Sequence, residues 1–203
     1  MGRAQRFAVV ALGATVLATL ALVLATRDGP GIAGYVSESG QAGAPHTVLY
    51  RLALVLLVVA TGAAALALRR LAGLAALALG LAVPCLLVSV SARCSAGCPL
   101  PPFQQTTAGD LIHAGGSIAA VGLCALAMLA AAVRSVDPGV RLVSRAACVA
   151  TLPVCVALAV GLLAIGHGRF TGLLERVALG CCLGWLVLVG GLAARPDRSD
   201  FSR

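Results

Sequence analysis

Residues 93–117 read RCSAGCPLPPFQQTTAGDLIHAGGS, and this stretch separates two long apolar parts of the chain. Two cysteines flank a short Ser-Ala-Gly turn, a proline-rich segment follows, and Asp110, His113 and Ser117 then open the second apolar part. In a helix these three side chains lie at i, i+3 and i+7 and share one face. Because a polar group facing lipid is costly, we expect them either to line a polar cavity or to lie in headgroup water.

The chain on both sides of this stretch has the composition of a polytopic membrane protein. Of its 203 residues, 60% are hydrophobic and 11% are charged, and the mean hydropathy is +1.02. These values lie far outside the range of soluble domains. All 15 basic residues are arginines, which suggests a GC-rich, bacterial genome. The net charge of +8 does not indicate a nucleic-acid partner, because the arginines are scattered at the ends of apolar segments.

Six apolar segments are long enough to cross a bilayer. The sequence therefore predicts an all-α fold with six transmembrane helices in a single domain, residues 1–203. The expected spans are about 7–25, 47–68, 71–91, 110–133, 142–165 and 173–194. We interpret the first span as an uncleaved helix, because its apolar run exceeds a typical signal-peptide core and Ala25-Thr26-Arg27 is a poor cleavage site.

The arginine distribution predicts the orientation in the membrane. With the N terminus inside, the inner segments contain ten arginines and the outer segments contain five. Adding the acidic residues gives net charges of +7 inside and +1 outside. The positive-inside rule therefore places both termini in the cytoplasm and the protein in the cell membrane.

In this orientation all three histidines fall on the outer side, each at or just before an inward-running helix. A zinc site needs three or four converging ligands, and histidines with carboxylates suit zinc with an open position for water. The candidate metal ligands are His46, His113, His167, Asp110 and Glu38. The alternative is that they are ordinary interfacial residues, because their spacing is looser than that of a ligand motif.

Candidate catalytic residues come from the same set. Asp110, His113 and Glu175 could supply a general base or a ligand, and Asp110 could instead orient the imidazole of His113. A metal-free catalytic triad would add Ser117. Each member of a triad must reach the next one, and three side chains along one helical face rarely do so. Ser117 is equally suited to bonding its own backbone or packing against a neighbouring helix.

Cys94 and Cys98 lie in the expected outer loop, and we predict that they form a disulfide, because the outer environment is oxidising. The alternative is a pair of thiolate ligands, although no second cysteine pair accompanies them. The other six cysteines lie mostly within spans and are interpreted as small apolar packing residues.

Further expectations concern binding surfaces. Arg93, Arg169 and Arg176 are candidates for binding a lipid headgroup, the alternative being charge pairs at helix ends, where the helix dipole also favours Glu175. Gly180 and Gly184 form a close-packing motif that serves either the bundle itself or a protein partner, including a second copy. Among the aromatics, Trp185 lies deep in a span, whereas Tyr35 and Tyr50 are expected to be interfacial anchors.

Several short motifs, taken in order, resemble an uncharacterised bacterial membrane family, domain of unknown function 998. They are Tyr35-Val36-Ser37-Glu38, Ala44-Pro45-His46, the Cys94 and Cys98 pair, Asp110-Leu111-Ile112-His113, and Gly172 with Glu175-Arg176. The resemblance covers most of the chain, implies a six-helix membrane domain and supplies no reaction. The outer Ser, Asp and His are also similar in chemistry to zinc-dependent membrane hydrolases such as alkaline ceramidases. The chain departs from those enzymes in having six spans rather than seven and no His-x-x-x-His pair in its last helix.

Two functions remain as hypotheses. In the first, the protein binds a lipid or a partner at the outer face, and its histidines lie apart. In the second, it is a zinc-dependent hydrolase of a lipid or amphiphile, and its histidines converge with a carboxylate. Channel activity is less favoured, because the span interiors contain almost no ionisable residues.

Overall fold

The computed structural model describes residues 1–28, 31 and 34–195, and within that part every regular element is helical. The long helices are α1 (Arg3–Ala25), α2 (Thr47–Leu68), α3 (Gly73–Ser91), α4 (Ala108–Arg134), α5 (Pro138–Ala164) and α6 (Arg169–Ala193). A short 3₁₀ helix covers Val36–Gly40. All six long helices are long and apolar enough to cross a membrane. The predicted all-α fold with six membrane-length helices is confirmed. Two arginines of the orientation count, Arg198 and Arg203, lie outside the described residues.

Helices α4 and α5 begin two and four residues before the apolar runs that predicted them, because capping groups start them. Thr107 precedes α4, and its hydroxyl accepts a hydrogen bond from the backbone N–H of Asp110 at 3.2 Å. Asp137 precedes α5, and its carboxylate accepts from the backbone N–H of Val140 at 2.8 Å. Pro138 occupies the first position of α5, where its missing N–H costs nothing. Hydropathy detects the membrane core of a helix, whereas capping residues fix where it begins.

The six helices close a ring in chain order. Each helix packs on the next, and α6 returns to pack on α1. Helix α6 also contacts α2, α4 and the 3₁₀ helix. It therefore lies against more elements than its neighbours do, and it can hold distant parts of the chain together.

Small residues allow the close approach of the helices. Most of the buried core is alanine, and Ala11, Ala75, Ala127 and Ala131 are at most 1% exposed. A Cβ on Gly116 of α4 would lie 2.7 Å from the backbone oxygen of Cys85 in α3, so only glycine permits that contact. As expected, Trp185 is deep in the bundle, where its indole N–H donates to Ser144 Oγ at 2.9 Å.

The two ends of the bundle differ in the length of their connections. At one end, called the turn end, short turns at 69–72 and 135–137 meet, and Val136 N donates to Leu71 O at 2.8 Å. Both ends of the described chain are there, joined by a 2.8 Å hydrogen bond from Gln5 to Ala194. The other end, called the loop end, has the connections 26–46, 92–107 and 165–168. All the candidate site residues except Gly180 and Gly184 lie at the loop end or in the helix turns beside it.

Candidate functional site at the loop end

Asp110 joins the start of α4 to the cysteine-containing loop. Its carboxylate is 2% exposed and accepts from the backbone N–H of Ser95 at 2.6 Å and of Thr107 at 2.8 Å. The hydroxyls of the same two residues also donate to it, with shortest distances of 2.9 Å for Ser95 and 2.7 Å for Thr107. A carboxylate surrounded by four donors is well satisfied. Among the described contacts Asp110 therefore serves as a cap and a loop anchor.

The loop that Asp110 holds contains Cys94 and Cys98, which the structure joins as a disulfide with Cα atoms 5.0 Å apart. Gly97, between them, has a positive φ of 81°, and its N–H donates to the side-chain oxygen of Gln41 at 2.7 Å. The disulfide loop, 92–107, is thus connected to the first loop, 26–46, as well as to α4.

His113 caps the end of α3. Its Nδ1 lies 2.9 Å from the backbone oxygen of Ser89 and 3.2 Å from Ser89 Oγ. Because a carbonyl only accepts, Nδ1 carries the proton, and Nε2 is the acceptor that faces Tyr50 Oη at 3.5 Å. Ser89 O is among the last four carbonyls of α3, which have no partner within the helix. His113 therefore supplies a hydrogen bond that the helix end requires.

A short polar chain continues from this contact. Ser117 Oγ lies 2.7 Å from Ser89 Oγ, so Ser117 and His113 both meet Ser89 from one face of α4, as their spacing predicts. Asp110 is bonded to Ser95 and Thr107 instead, so the described contacts do not form an Asp-His-Ser triad. Tyr50 is 5% exposed rather than interfacial, which corrects the anchor expectation.

Arg51 satisfies the next carbonyl of α3. Its guanidinium donates to Val90 O at 3.3 Å. Cations favour the negative C-terminal end of a helix. Arg93, just beyond α3, is exposed and lines the same slot as Arg51 and His113. The slot contains a cavity of about 10 Å³, which is the space that one water molecule needs.

Glu38 closes the start of the 3₁₀ helix. It accepts from the backbone N–H of Tyr35 at 3.0 Å, and its Oε1 lies 3.2 Å from Nε2 of His167. The angle of the second contact does not fit a hydrogen bond, so His167 Nε2 is left without a partner among the described residues. The His167 ring stacks on Tyr35, with centroids 4.2 Å apart. Tyr35 is 5% exposed, another correction of the anchor expectation, and burial raises the pKa of its phenol.

Glu175 and Arg176 both hold the first loop. Glu175 accepts from the backbone N–H of Val36 at 2.8 Å. Arg176 donates to the backbone oxygens of Gly34 at 2.9 Å and Gly31 at 2.7 Å. Glu175 thus accepts from a backbone N–H, and Arg176 donates to backbone carbonyls. Two adjacent side chains of α6 therefore fix a segment about 140 residues earlier in the chain. Arg176, a candidate for headgroup binding, is engaged by the protein itself.

The three histidines lie beside different groups. His46 Nε2 contacts Asp28 Oδ2 at 2.9 Å on the exposed surface, His113 contacts Ser89, and His167 contacts Glu38. Residues 1–28, 31 and 34–195 contain no group of three or more His, Cys, Asp or Glu side chains that could hold a metal. The convergence expected for a zinc site is therefore wrong for this part of the chain. Arg169 is exposed at the first position of α6.

A second and larger cavity, of about 270 Å³, lies beside the first loop. Its polar lining comes from Asp28, Glu38, Ser39 and Gln41. Gly40 lines the small slot, whereas its neighbours Ser39 and Gln41 line the larger cavity, and no residue lines both. The loop end thus has a slot lined by arginines and a cavity lined by carboxylates.

Sequence reasoning missed the partners of the predicted residues. Ser89, Tyr50 and Arg51 come from other helices, and only tertiary packing brings them to His113 or to its slot. A local signal did exist for Asp110, since Thr107-x-x-Asp110 has the spacing of a capping box. Tyr35-x-x-Glu38 has the same spacing but only half of the bonding, since Glu38 accepts from the backbone N–H of Tyr35 while the Tyr35 hydroxyl has no partner among the described residues.

The comparisons with known proteins bear on the sequence motifs that meet at the loop end. No curated protein and no solved structure matches the chain. The family model described as "Protein of unknown function (DUF998)" matches residues 9–192, from α1 to the end of α6. That match includes the first loop, the disulfide loop, and the pair Glu175 and Arg176 of α6, which we call the clamp. The chain is an integral membrane protein that belongs to the DUF998 family.

Proposed function

We propose that this membrane protein binds the phosphate headgroup of an anionic phospholipid at its loop end. The supporting observation is the slot in which Arg51 and Arg93 flank the buried pair Tyr50 and His113. Arginine suits phosphate because its planar guanidinium offers five donors, and the contact with Val90 uses only one of those of Arg51. The cavity of about 10 Å³ is too small for a phosphate, which therefore sits at the mouth of the slot.

The same proposal gives the protein an orientation. We infer that the loop end faces away from the cytoplasm of a bacterial cell membrane, with both termini inside. The arginine count supports this: among the described residues, eight arginines lie on the turn side and five on the loop side. The Cys94 to Cys98 disulfide suits an oxidising compartment. A fluorescent protein that matures only in the cytoplasm should fluoresce when it is fused after Arg203. If that fusion is dark and a fusion of alkaline phosphatase at the same position is active, the assignment is reversed.

Zinc-dependent hydrolysis, the alternative function, requires ligands that converge. The histidines lie beside different groups, and the described residues offer no group of three or more ligands for a metal. Headgroup binding needs only the two arginines and an opening at the membrane surface. We therefore place binding ahead of hydrolysis.

Native mass spectrometry of the purified protein tests the proposal directly. Phosphatidylglycerol should bind in preference to phosphatidylcholine, and Arg93→Gln should weaken that binding about tenfold, as expected for one charge-assisted contact. Arg69→Gln provides a matched control, because Arg69 is exposed at the turn end. Equal binding of the two lipids, or an equal loss in both variants, contradicts a site at the slot.

A further inference from the structure

The buried part of the arginine slot contains two polar side chains from different helices. Tyr50 of α2 and His113 of α4 both line the slot, and they are 5% and 4% exposed. The cavity beside them has a volume of about 10 Å³. One water molecule needs about that much space, and the oxygen of an alcohol is of similar size. Only one small group of a ligand can therefore enter this part of the slot.

The hydrogen-bonding roles of these two side chains are fixed by their surroundings. Nδ1 of His113 lies 2.9 Å from the backbone oxygen of Ser89 and carries the proton, so Nε2 is an acceptor. The hydroxyl of Tyr50 faces that Nε2 at 3.5 Å, which is longer than an ordinary hydrogen bond. An oxygen placed between the two atoms can lie about 2.8 Å from each of them. Buried polar groups with one long contact favour a ligand group that bonds to both.

The donor, the acceptor and the nearby charges together select the kind of group that binds there. A single hydroxyl accepts from the O–H of Tyr50 and donates to Nε2 of His113. A carboxylate accepts but has no proton to donate to Nε2. An ammonium can donate, but the guanidinium groups of Arg51 and Arg93 line the same slot and repel a cation. The described lining includes no carboxylate that would offset this repulsion.

We propose that the slot recognises a hydroxyl on the headgroup of the anionic phospholipid, so that the preferred ligand class is a phosphodiester of a polyol, with phosphatidylglycerol as its simplest member. This inference rests on the proposed function, because the phosphate lies at the mouth of the slot beside Arg93. The hydroxyl then lies between Tyr50 and His113. Glycerol suits this division, since its free hydroxyls are on the carbons that follow the phosphate ester.

A competition between two lipids tests the inference on the unaltered full-length protein. Native mass spectrometry compares phosphatidylglycerol with phosphatidylpropanol that has the same acyl chains. Both headgroups have three carbons and the same phosphodiester charge, and only phosphatidylglycerol has hydroxyls. Phosphatidylglycerol should bind about fivefold more tightly, as expected for hydrogen bonds between neutral groups.

Three variants assign the preference to the slot. Tyr50→Phe keeps the ring that packs against Gly40, removes the hydroxyl, and should lower phosphatidylglycerol binding about fivefold while phosphatidylpropanol binding stays unchanged. Tyr35→Phe is the matched control, because Tyr35 is equally buried at the loop end and does not line the slot. The preference should persist in that variant. Arg93→Gln should weaken the binding of both lipids by the same factor, because both carry the phosphate.

The outcomes separate this inference from the proposed function. Equal binding of phosphatidylglycerol and phosphatidylpropanol, both tighter than phosphatidylcholine, overturns hydroxyl recognition and leaves phosphate binding in place. If neither lipid binds more tightly than phosphatidylcholine, the proposed function fails and this inference fails with it. A preference that survives in Tyr50→Phe also overturns the inference, because the hydroxyl is then recognised elsewhere.

Discussion

The loop end and the turn end both have to satisfy the last carbonyls of a helix, and they do so in different ways. At the turn end, Arg141 donates to Ser135 O at 2.6 Å, only six residues away. At the loop end, Ser89 O is satisfied by His113, which is 24 residues away and buried on another helix. The end of α4 therefore uses a nearby arginine of intermediate exposure, whereas the end of α3 uses a buried imidazole from a distant part of the chain. The contact at the end of α3 also fixes α4 against α3, which a local contact does not do.

The largest predicted effect is the removal of the Asp110 carboxylate. Asp110→Ala leaves four donors on Ser95 and Thr107 without their acceptor, and we expect a loss of about 3 kcal/mol or more. The matched change at the turn end, Asp137→Ala, removes one capping bond and should cost about 1 kcal/mol. Chemical or thermal unfolding in the same detergent measures both. Equal losses would mean that the carboxylate network at the loop end adds nothing beyond a helix cap.

The clamp on the first loop should show the next largest effect. Glu175→Ala removes the acceptor for Val36 N, and hydrogen exchange of the 34–40 segment should speed up roughly tenfold or more. Glu175→Gln keeps an oxygen acceptor and should restore most of the protection. Arg169→Gln, at an exposed position on the same helix, is the control. Unchanged exchange in Glu175→Ala would show that the 3₁₀ helix is held by other contacts.

A smaller effect is expected at His113, and it separates a structural role from a metal site. His113→Ala leaves Ser89 O without its donor, so the free energy of unfolding should fall by about 1 to 2 kcal/mol. Elemental analysis should find no stoichiometric zinc whose presence depends on His113, because His46 lies beside Asp28 and His167 lies beside Glu38, not beside His113. Zinc at one equivalent in wild type, lost in His113→Ala, would restore the hydrolase hypothesis.

The smallest effect on the monomer is expected at Gly180. A Cβ there would meet nothing within 4 Å, and the position is exposed. Gly180→Leu should therefore change the unfolding free energy by less than about 0.5 kcal/mol. Crosslinking in the membrane should show weaker self-association if Gly180 and Gly184 contact a second copy, which stays a prediction. Gly13→Leu on α1, also exposed with open space, is the control.

The helices were predictable because membrane spans depend on local composition. The end of α2 and the end of α3 fall at the predicted residues, 68 and 91, since an apolar run stops there at arginine or at a loop. The starts of α4 and α5 were predicted late, because Thr107 and Asp137 begin those helices by hydrogen bonding rather than by hydropathy.

The candidate site was predictable in its location and not in its chemistry. The shared face of His113 and Ser117 follows from helical spacing, and both do reach Ser89. Asp110 turns away to Ser95, because the donors of that loop are closer to it than any imidazole is, and no helical period encodes a loop conformation. The burial of Tyr50 depends on Gly40, which lies against its ring with no room for a side chain. Such contacts join distant segments and appear only when the chain is folded.

The clamp formed by Glu175 and Arg176 has a consequence for the order of assembly in the cell. Its targets precede it by 139 to 145 residues, so the first loop leaves the ribosome long before the residues that fix it. Chains emerge and fold from the N terminus onward. Until α6 enters the bilayer, the first loop lacks both the acceptor for the backbone N–H of Val36 and the donor to the backbone oxygens of Gly31 and Gly34. The surface at the loop end is therefore completed last, and a chain truncated before Glu175 reaches the membrane with α1 to α5 present and that surface unfinished.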